Sequence, residues 1–176
     1  MKQTKKILGI LACAFMYSSM YLLPYIKYIF YDAVEEVTGF TNTQIGFCLS
    51  VYIIASIICT LPSGWLADRY PPKKLLVLSG IGHTILSFLA LLFIRNYAMT
   101  LVLFFGMGIT SVLGFWSPVF KAVSMSGKQE EQGKYYGWFE GLNGVGSMIF
   151  NFLALWVFSR VTSGSAAALA GVYIFY

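Results

Sequence analysis

Gly64-Trp65-Leu66-Ala67-Asp68-Arg69-Tyr70-Pro71-Pro72-Lys73-Lys74 is the stretch on which the reading of this chain turns. It carries four charged side chains. On either side lies an apolar run without Asp, Glu, Lys or Arg, residues 43–63 before it and 75–94 after it. A helix of about 20 apolar residues crosses a hydrocarbon layer of about 30 Å. Inside lipid the backbone must satisfy its own hydrogen bonds, so each run is expected to be a helix. The charged stretch then joins two membrane crossings.

Working outward, the same pattern recurs. Apolar runs cover about 7–30, 98–120 and 137–158, and a sixth begins at 166 and stops at 176. One such run fits a soluble core helix equally well, but five in series do not. The composition agrees, with 58% hydrophobic and 11% charged residues, too little charge to cover a soluble surface. The fold class expected is an all-α polytopic membrane bundle, a single transmembrane domain of five complete spans and a truncated sixth. About 11 residues cannot cross a bilayer, so the sequence reads as a truncated or fragmentary product. Lys2, Lys5 and Lys6 ahead of the first run resemble a signal peptide, but the run continues to Phe30 and favours an uncleaved first span.

The charge distribution gives an orientation. Lys2, Lys5, Lys6, Arg69, Lys73, Lys74, Lys121, Lys128 and Lys134 fall at the N-terminus and in the second-to-third and fourth-to-fifth connections. Arg95 and Arg160 fall on the other side. The positive-inside rule places the N-terminus in the cytoplasm of a multi-pass inner-membrane protein. Topology thus accounts for the net charge of +5, and no nucleic-acid partner is implied. Cys13, Cys48 and Cys59 lie inside spans without CxxC spacing and read as packing residues. No metal site, catalytic residue or cofactor is indicated, and no phosphate-binding loop for ATP is present.

The charged stretch resembles the signature loop of the major facilitator superfamily: Gly, three residues, an acid, a base, one residue, Gly, one residue, two bases. Gly64, Asp68, Arg69, Lys73 and Lys74 match, and Pro71 stands at the second glycine. Gly64 is expected to let helix ends approach closely. The resemblance implies that Asp68 latches two six-helix halves together in the outward-facing state. Glu131-Gln132-Gly133-Lys134-Tyr135-Tyr136-Gly137 is similar to the motif opening the fifth span in that superfamily. Val102 and Phe104 stand near Gly106 and Gly108, where proton-driven drug exporters carry an arginine, which weighs against that branch. The run Phe115 to Lys121 and Glu140-Gly141 look similar to the sugar-phosphate and organic-anion permeases.

Helical spacing supplies pathway candidates. Tyr17, Tyr21, Tyr25 and Tyr28 share one face of the first span; Tyr25 and Tyr28 also fit an interfacial belt, and Pro24 is placed to kink the helix. Tyr52, Ser56, Thr60 and Ser63 share a face of the second span, which serves either packing or a cavity. The resemblance places helices one, two, four and five around the cavity, making Trp116 and Pro118 wall or gate residues. In the fifth span Glu140, Asn143, Ser147 and Asn151 form a polar face, with Gly137, Gly141 and Gly144 beside it for helix packing. Glu140, read as about one turn from the cytoplasmic end, either pairs with Lys121 or Lys134 or has a coupling or gating role. Lys27 either snorkels to the outer interface or attracts an anionic substrate. His83 reads as a packing residue or a proton relay.

Two functions follow. The first is secondary active transport by alternating access of a small polar solute, an organic anion or sugar phosphate in the finer reading. Its partners are that solute, the bilayer, and a missing C-terminal half or a second copy. The second is a truncated, non-transporting scaffold or assembly partner. An enzyme is not indicated, because no paired catalytic constellation is present.

Overall fold

The computed structural model describes residues 2–160 together with Ala168, Gly171 and Val172. Among these residues every element is helical. Helix α1 spans Lys2–Leu22, α2 Tyr31–Thr38, α3 Asn42–Arg69, α4 Pro72–Leu92, α5 Tyr97–Ser111, α6 Ser117–Ser124 and α7 Gln132–Arg160. The sixth span expected at 166–176 lies, apart from the three residues named, outside the described residues.

The first span departs from its expected form. Its α-helix ends at Leu22 instead of running to Phe30, and a turn leads into a 3₁₀ segment, Ile26–Tyr28. Pro24 accounts for the break. It has no N–H to donate, and its ring clashes with the carbonyl one turn earlier. The expected polar loop at 31–42 contains α2, which buries Ala33, Val34 and Val37 on one face. It ends at Gly39, whose φ of 72° is the left-handed conformation that glycine adopts without strain. Arg95 Nε donates to the carbonyl of Val37 at 3.2 Å, satisfying one of the carbonyls left open at that helix end.

Thr41 then starts α3 with a capping box, Thr41 and Gln44 bonding each other's backbone N–H. The signature stretch is less of a loop than expected, because α3 runs to Arg69 and α4 starts at Pro72. Only Tyr70 and Pro71 connect them. A residue before proline is driven to extended geometry, and Tyr70 sits at φ −117°, ψ 152°. Pro72 takes the first helical position, where a missing N–H costs nothing. The proline at the family's glycine position thus makes a rigid corner.

The fourth span is α5 and α6 joined through one π turn, Val112–Trp116. Pro118, directly after it, cannot donate to the preceding turn, which favours such a widening. Two polar side chains hold the turn through three hydrogen bonds. Ser63 Oγ donates to the carbonyl of Val112 at 2.7 Å and accepts from the N–H of Ser117 at 3.3 Å. Tyr21 Oη donates to the carbonyl of Ser111 at 3.3 Å.

Helices α3 and α4 pack against α5, α1 packs along α7, and α6 joins the two groups. Among the described residues four stretches are long and apolar enough to cross a membrane: Asn42–Arg69, Pro72–Leu92, Tyr97–Ser124 and Gln129–Arg160. The apolar part of α1, Lys6–Leu22, is shorter, and the 3₁₀ segment extends it. Large apolar side chains point outward from the bundle: Leu61 is 86% exposed, Leu78 71% and Phe152 66%. Water does not tolerate such faces over whole helices, and lipid does. The chain is a multi-pass membrane protein.

Candidate functional site

The tyrosine face of α1 forms a ridge, as the spacing predicts. Tyr17 and Tyr21 have ring centroids 4.8 Å apart, and Tyr25 stacks on Tyr28 at 6.0 Å from beyond the proline break. Trp116 reaches the ridge from the π turn, 5.9 Å from Tyr17 and 6.4 Å from Tyr21. Tyr17 is also wedged against Phe115, Phe120 and Phe139, which fixes its ring. The ridge separates two grooves. One lies toward α3 and is lined by Tyr21, Tyr25, Tyr52, Ser56, Thr60 and Trp116. The other lies toward α7 and is lined by Tyr17, Ser18, Tyr25, Asn143, Ser147 and Asn151 among others. No charged side chain lines either groove among the described residues.

The candidates from the second span divide. Tyr52 is buried at the wall, where its hydroxyl shares a 3.0 Å hydrogen bond with Ser111 Oγ and its ring meets Tyr25 edge-on. Ser56 and Thr60 face the groove, but Ser63 is wholly buried under the π turn. Thr110 turns away toward α4, where His83 Nδ1 meets its hydroxyl at 3.1 Å and Ser79 Oγ donates to its carbonyl. His83 thus sits at the α4–α5 contact, away from both grooves, with its Nε2 buried and without a hydrogen-bond partner among the described residues.

Glu140 stands deeper than the sequence reading had it. Because α7 starts at Gln132 and not at Gly137, eight helical steps separate Glu140 from the helix start, about 12 Å. Neither expected cation meets it. Lys121 instead donates to the carbonyl of Ala67 at 2.5 Å and lies 3.6 Å from Asp68. Lys134 faces another side of α7, beside Trp138 and Gly141. The contact of Glu140 is with Asn143, whose Nδ2 donates to Oε2 at 3.4 Å. Ser18 Oγ lies 2.9 Å from Asn143 Oδ1, so a polar chain links α1 to the carboxylate.

Lys27 does not reach the grooves. It lines a separate small pocket with Val34, Phe40, Cys48 and Leu49, its Nζ 5.3 Å from the ring centroid of Tyr28.

In the signature stretch Asp68 is 86% exposed beside Lys121. Arg69 lies over the Trp65 ring at 4.3 Å, and Lys73 and Lys74 are exposed on the first turn of α4. Two glycine readings are corrected. A Cβ at Gly64 would meet nothing within 4 Å among the described residues, so no described helix packs there. The same holds at Gly137, Gly141 and Gly144, and the close approach on α7 is at Gly146, against Ser18. The π turn and its hydroxyl caps were missed by reading each span as uniform helix, although Pro118 marked the place.

The comparisons with known proteins agree with this architecture. The family model described as Major Facilitator Superfamily matches residues 7–176. The chain belongs to the major facilitator superfamily. Two inner membrane proteins of Escherichia coli are similar to this superfamily member. YqcE is 37% identical over 154 residues, 88% of this chain and 36% of that protein. YihN is 30% identical over 157 residues, 89% of this chain and 37% of that protein. The bacillibactin exporter of Bacillus subtilis is 31% identical over 72 residues, 39% of this chain and 18% of that protein. This superfamily chain therefore spans little more than a third of the length of the two Escherichia coli relatives. No solved structure matches it.

Proposed function

We propose that this chain supplies the N-terminal six-helix half of a secondary transporter in the inner membrane. Its N-terminus and the Asp68 corner face the cytoplasm, a reading supported by the nine basic residues on that side. A C-terminal half, or a second copy, supplies the opposite wall. A small polar solute binds between the walls, and the two halves rock around it. The observation that carries the reading is the polar, aromatic ridge of α1, open on both flanks inside an otherwise apolar bundle. Polar groups at membrane depth belong to protein or water and mark pathways. The finer class suggested by the sequence, an organic anion or sugar phosphate, would need its cation from outside these grooves, because Lys27 lies in a separate pocket.

The test is solute flux with the intact protein reconstituted in liposomes. Accumulation or exchange of a polar solute above protein-free vesicles is the expected result. No flux for any solute sinks the transport reading and leaves the scaffold. Cysteine labelling at Lys73 and Lys128 checks the orientation, and both should react from the cytoplasmic side.

Asp68 serves as the latch in this proposal. Its exposed carboxylate is available to a second wall, and Lys121 holds it in place. Asp68→Asn should slow transport about tenfold, equivalent to about 1.4 kcal/mol of barrier, with half-saturation little changed. An unchanged rate at equal reconstitution removes the latch role.

A further inference from the structure

Several hydroxyls that line the α7-side groove, that of Tyr28 included, are uncommitted among the described residues. Tyr17 Oη, Tyr25 Oη and Ser147 Oγ make no hydrogen bond among the described residues, and all three line the α7-side groove. Elsewhere in the bundle the hydroxyls of Ser63, Ser79, Thr84 and Thr110 are bonded to backbone carbonyls. A hydroxyl both donates and accepts. A row of them therefore matches a partner whose groups do the same, and a solute hydroxyl is such a group. The ring surfaces add a second requirement. Tyr25 and Tyr28 stack at 19° between planes, and Trp116, 37% exposed, lines the α3-side groove. Flat aromatic faces take flat apolar surfaces, such as the C–H face of a sugar ring.

Charge argues the same way. An anion leaving water for this wall would meet no cation, and an unpaired ion pays several kcal/mol in effective desolvation. An organic cation would find ring faces, but Glu140 is bound to Asn143 and is not among the lining residues of either groove.

We infer that this half-site takes an uncharged polyhydroxylated solute, a sugar or sugar alcohol, with its ring or chain against the α1 ridge and its hydroxyls on Tyr17, Tyr25 and Ser147. The inference rests on the transport reading above and narrows its substrate.

The intact protein in liposomes is tested for exchange of glucose, xylose and mannitol, of glucose 6-phosphate and glycerol 3-phosphate, and of choline. Binding is followed in parallel by the fluorescence of Trp116, with Trp65, Trp138 and Trp156 replaced by Phe. At least one neutral solute should exchange and shift the Trp116 signal saturably. Tyr25→Phe should then raise half-saturation about five-fold, the effect of one lost neutral hydrogen bond, with thermal unfolding unchanged. Exchange of the phosphate esters alone, or of choline alone, overturns the substrate class and leaves transport standing. Exchange of neutral solutes with Tyr25→Phe and Ser147→Ala both without effect overturns the placement. No exchange of any solute overturns both readings.

Discussion

Where α3 crosses α5, the contact is closed. A Cβ at Gly108 would stand 2.5 Å from the carbonyl oxygen of Tyr52 and 2.8 Å from the Cβ of Ala55. The hydroxyls there bond each other and the backbone: Tyr52 with Ser111, and Ser63 with Val112 and Ser117. Where α1 runs beside α7, one close point at Gly146 is followed by an open groove with uncommitted hydroxyls. Both junctions use Ser, Tyr and Gly. The first uses them to hold a π turn that lipid would otherwise leave unsatisfied. The second uses Gly146 to anchor α1 and leaves the hydroxyls of Tyr17, Tyr25 and Ser147 without a hydrogen bond among the described residues. A polar residue in a span thus acquires its role from whether its partner is already inside the protein.

The comparison breaks most visibly at Gly108. Gly108→Leu drives a side chain into backbone, which cannot rotate away, and overpacking of this kind costs about 3 kcal/mol or more. The expected outcome is loss of folded protein after extraction, read by size-exclusion profile and thermal unfolding. A normally folded variant would mean that α3 and α5 are not in backbone contact.

Ser63 and Ser147 sharpen it. Ser63→Ala strands the carbonyl of Val112 and the N–H of Ser117 in a buried place, at about 1–3 kcal/mol. Ser147→Ala, on the groove, should change stability by less than about 0.5 kcal/mol. Thermal unfolding of the two variants side by side tests the distinction between committed and uncommitted hydroxyls. Equal losses would erase it.

These contrasts mark what could be read from the residues alone. The spans were legible because apolar length is a local property, and the positions of α3, α4 and the α5–α6 unit follow it closely. Tyr17 and Tyr21 were legible as neighbours because helical spacing fixes a shared face, whereas Tyr25 and Tyr28 lie beyond the break at Pro24. Depth and partnership were not. Glu140 was placed too near an end because Gln132 to Tyr136 is polar enough to look like loop, yet it is helix. The pairing of Lys121 with Asp68 joins residues on different spans, and nothing in the spacing distinguishes Asp68 from Glu140 as its partner. α2 was hidden because the acids Asp32, Glu35 and Glu36 mask a three-residue apolar face. The glycines show the limit most clearly, since Gly64 and Gly141 carry recognisable spacing and touch none of the described residues, while Gly108 and Gly146 carry none and touch backbone or Ser18.

The smallest effect tests that last point within one helix. A Cβ at Gly146 would stand 2.8 Å from Ser18 Oγ, which is itself held by Asn143. Gly146→Ala must therefore push the hydroxyl off Asn143 or push α1 away, at about 1–3 kcal/mol. Moving the hydroxyl would also free Asn143, so binding at the groove should change together with stability. Gly141→Ala has open space within 4 Å and lies on the same helix. Its cost should be below about 0.5 kcal/mol. If a second wall packs on that face of α7 in the assembled transporter, Gly141→Ala gains a penalty in the assembly that it lacks in this half alone. Measuring both variants in each form thus separates contacts made inside this bundle from contacts that await its partner.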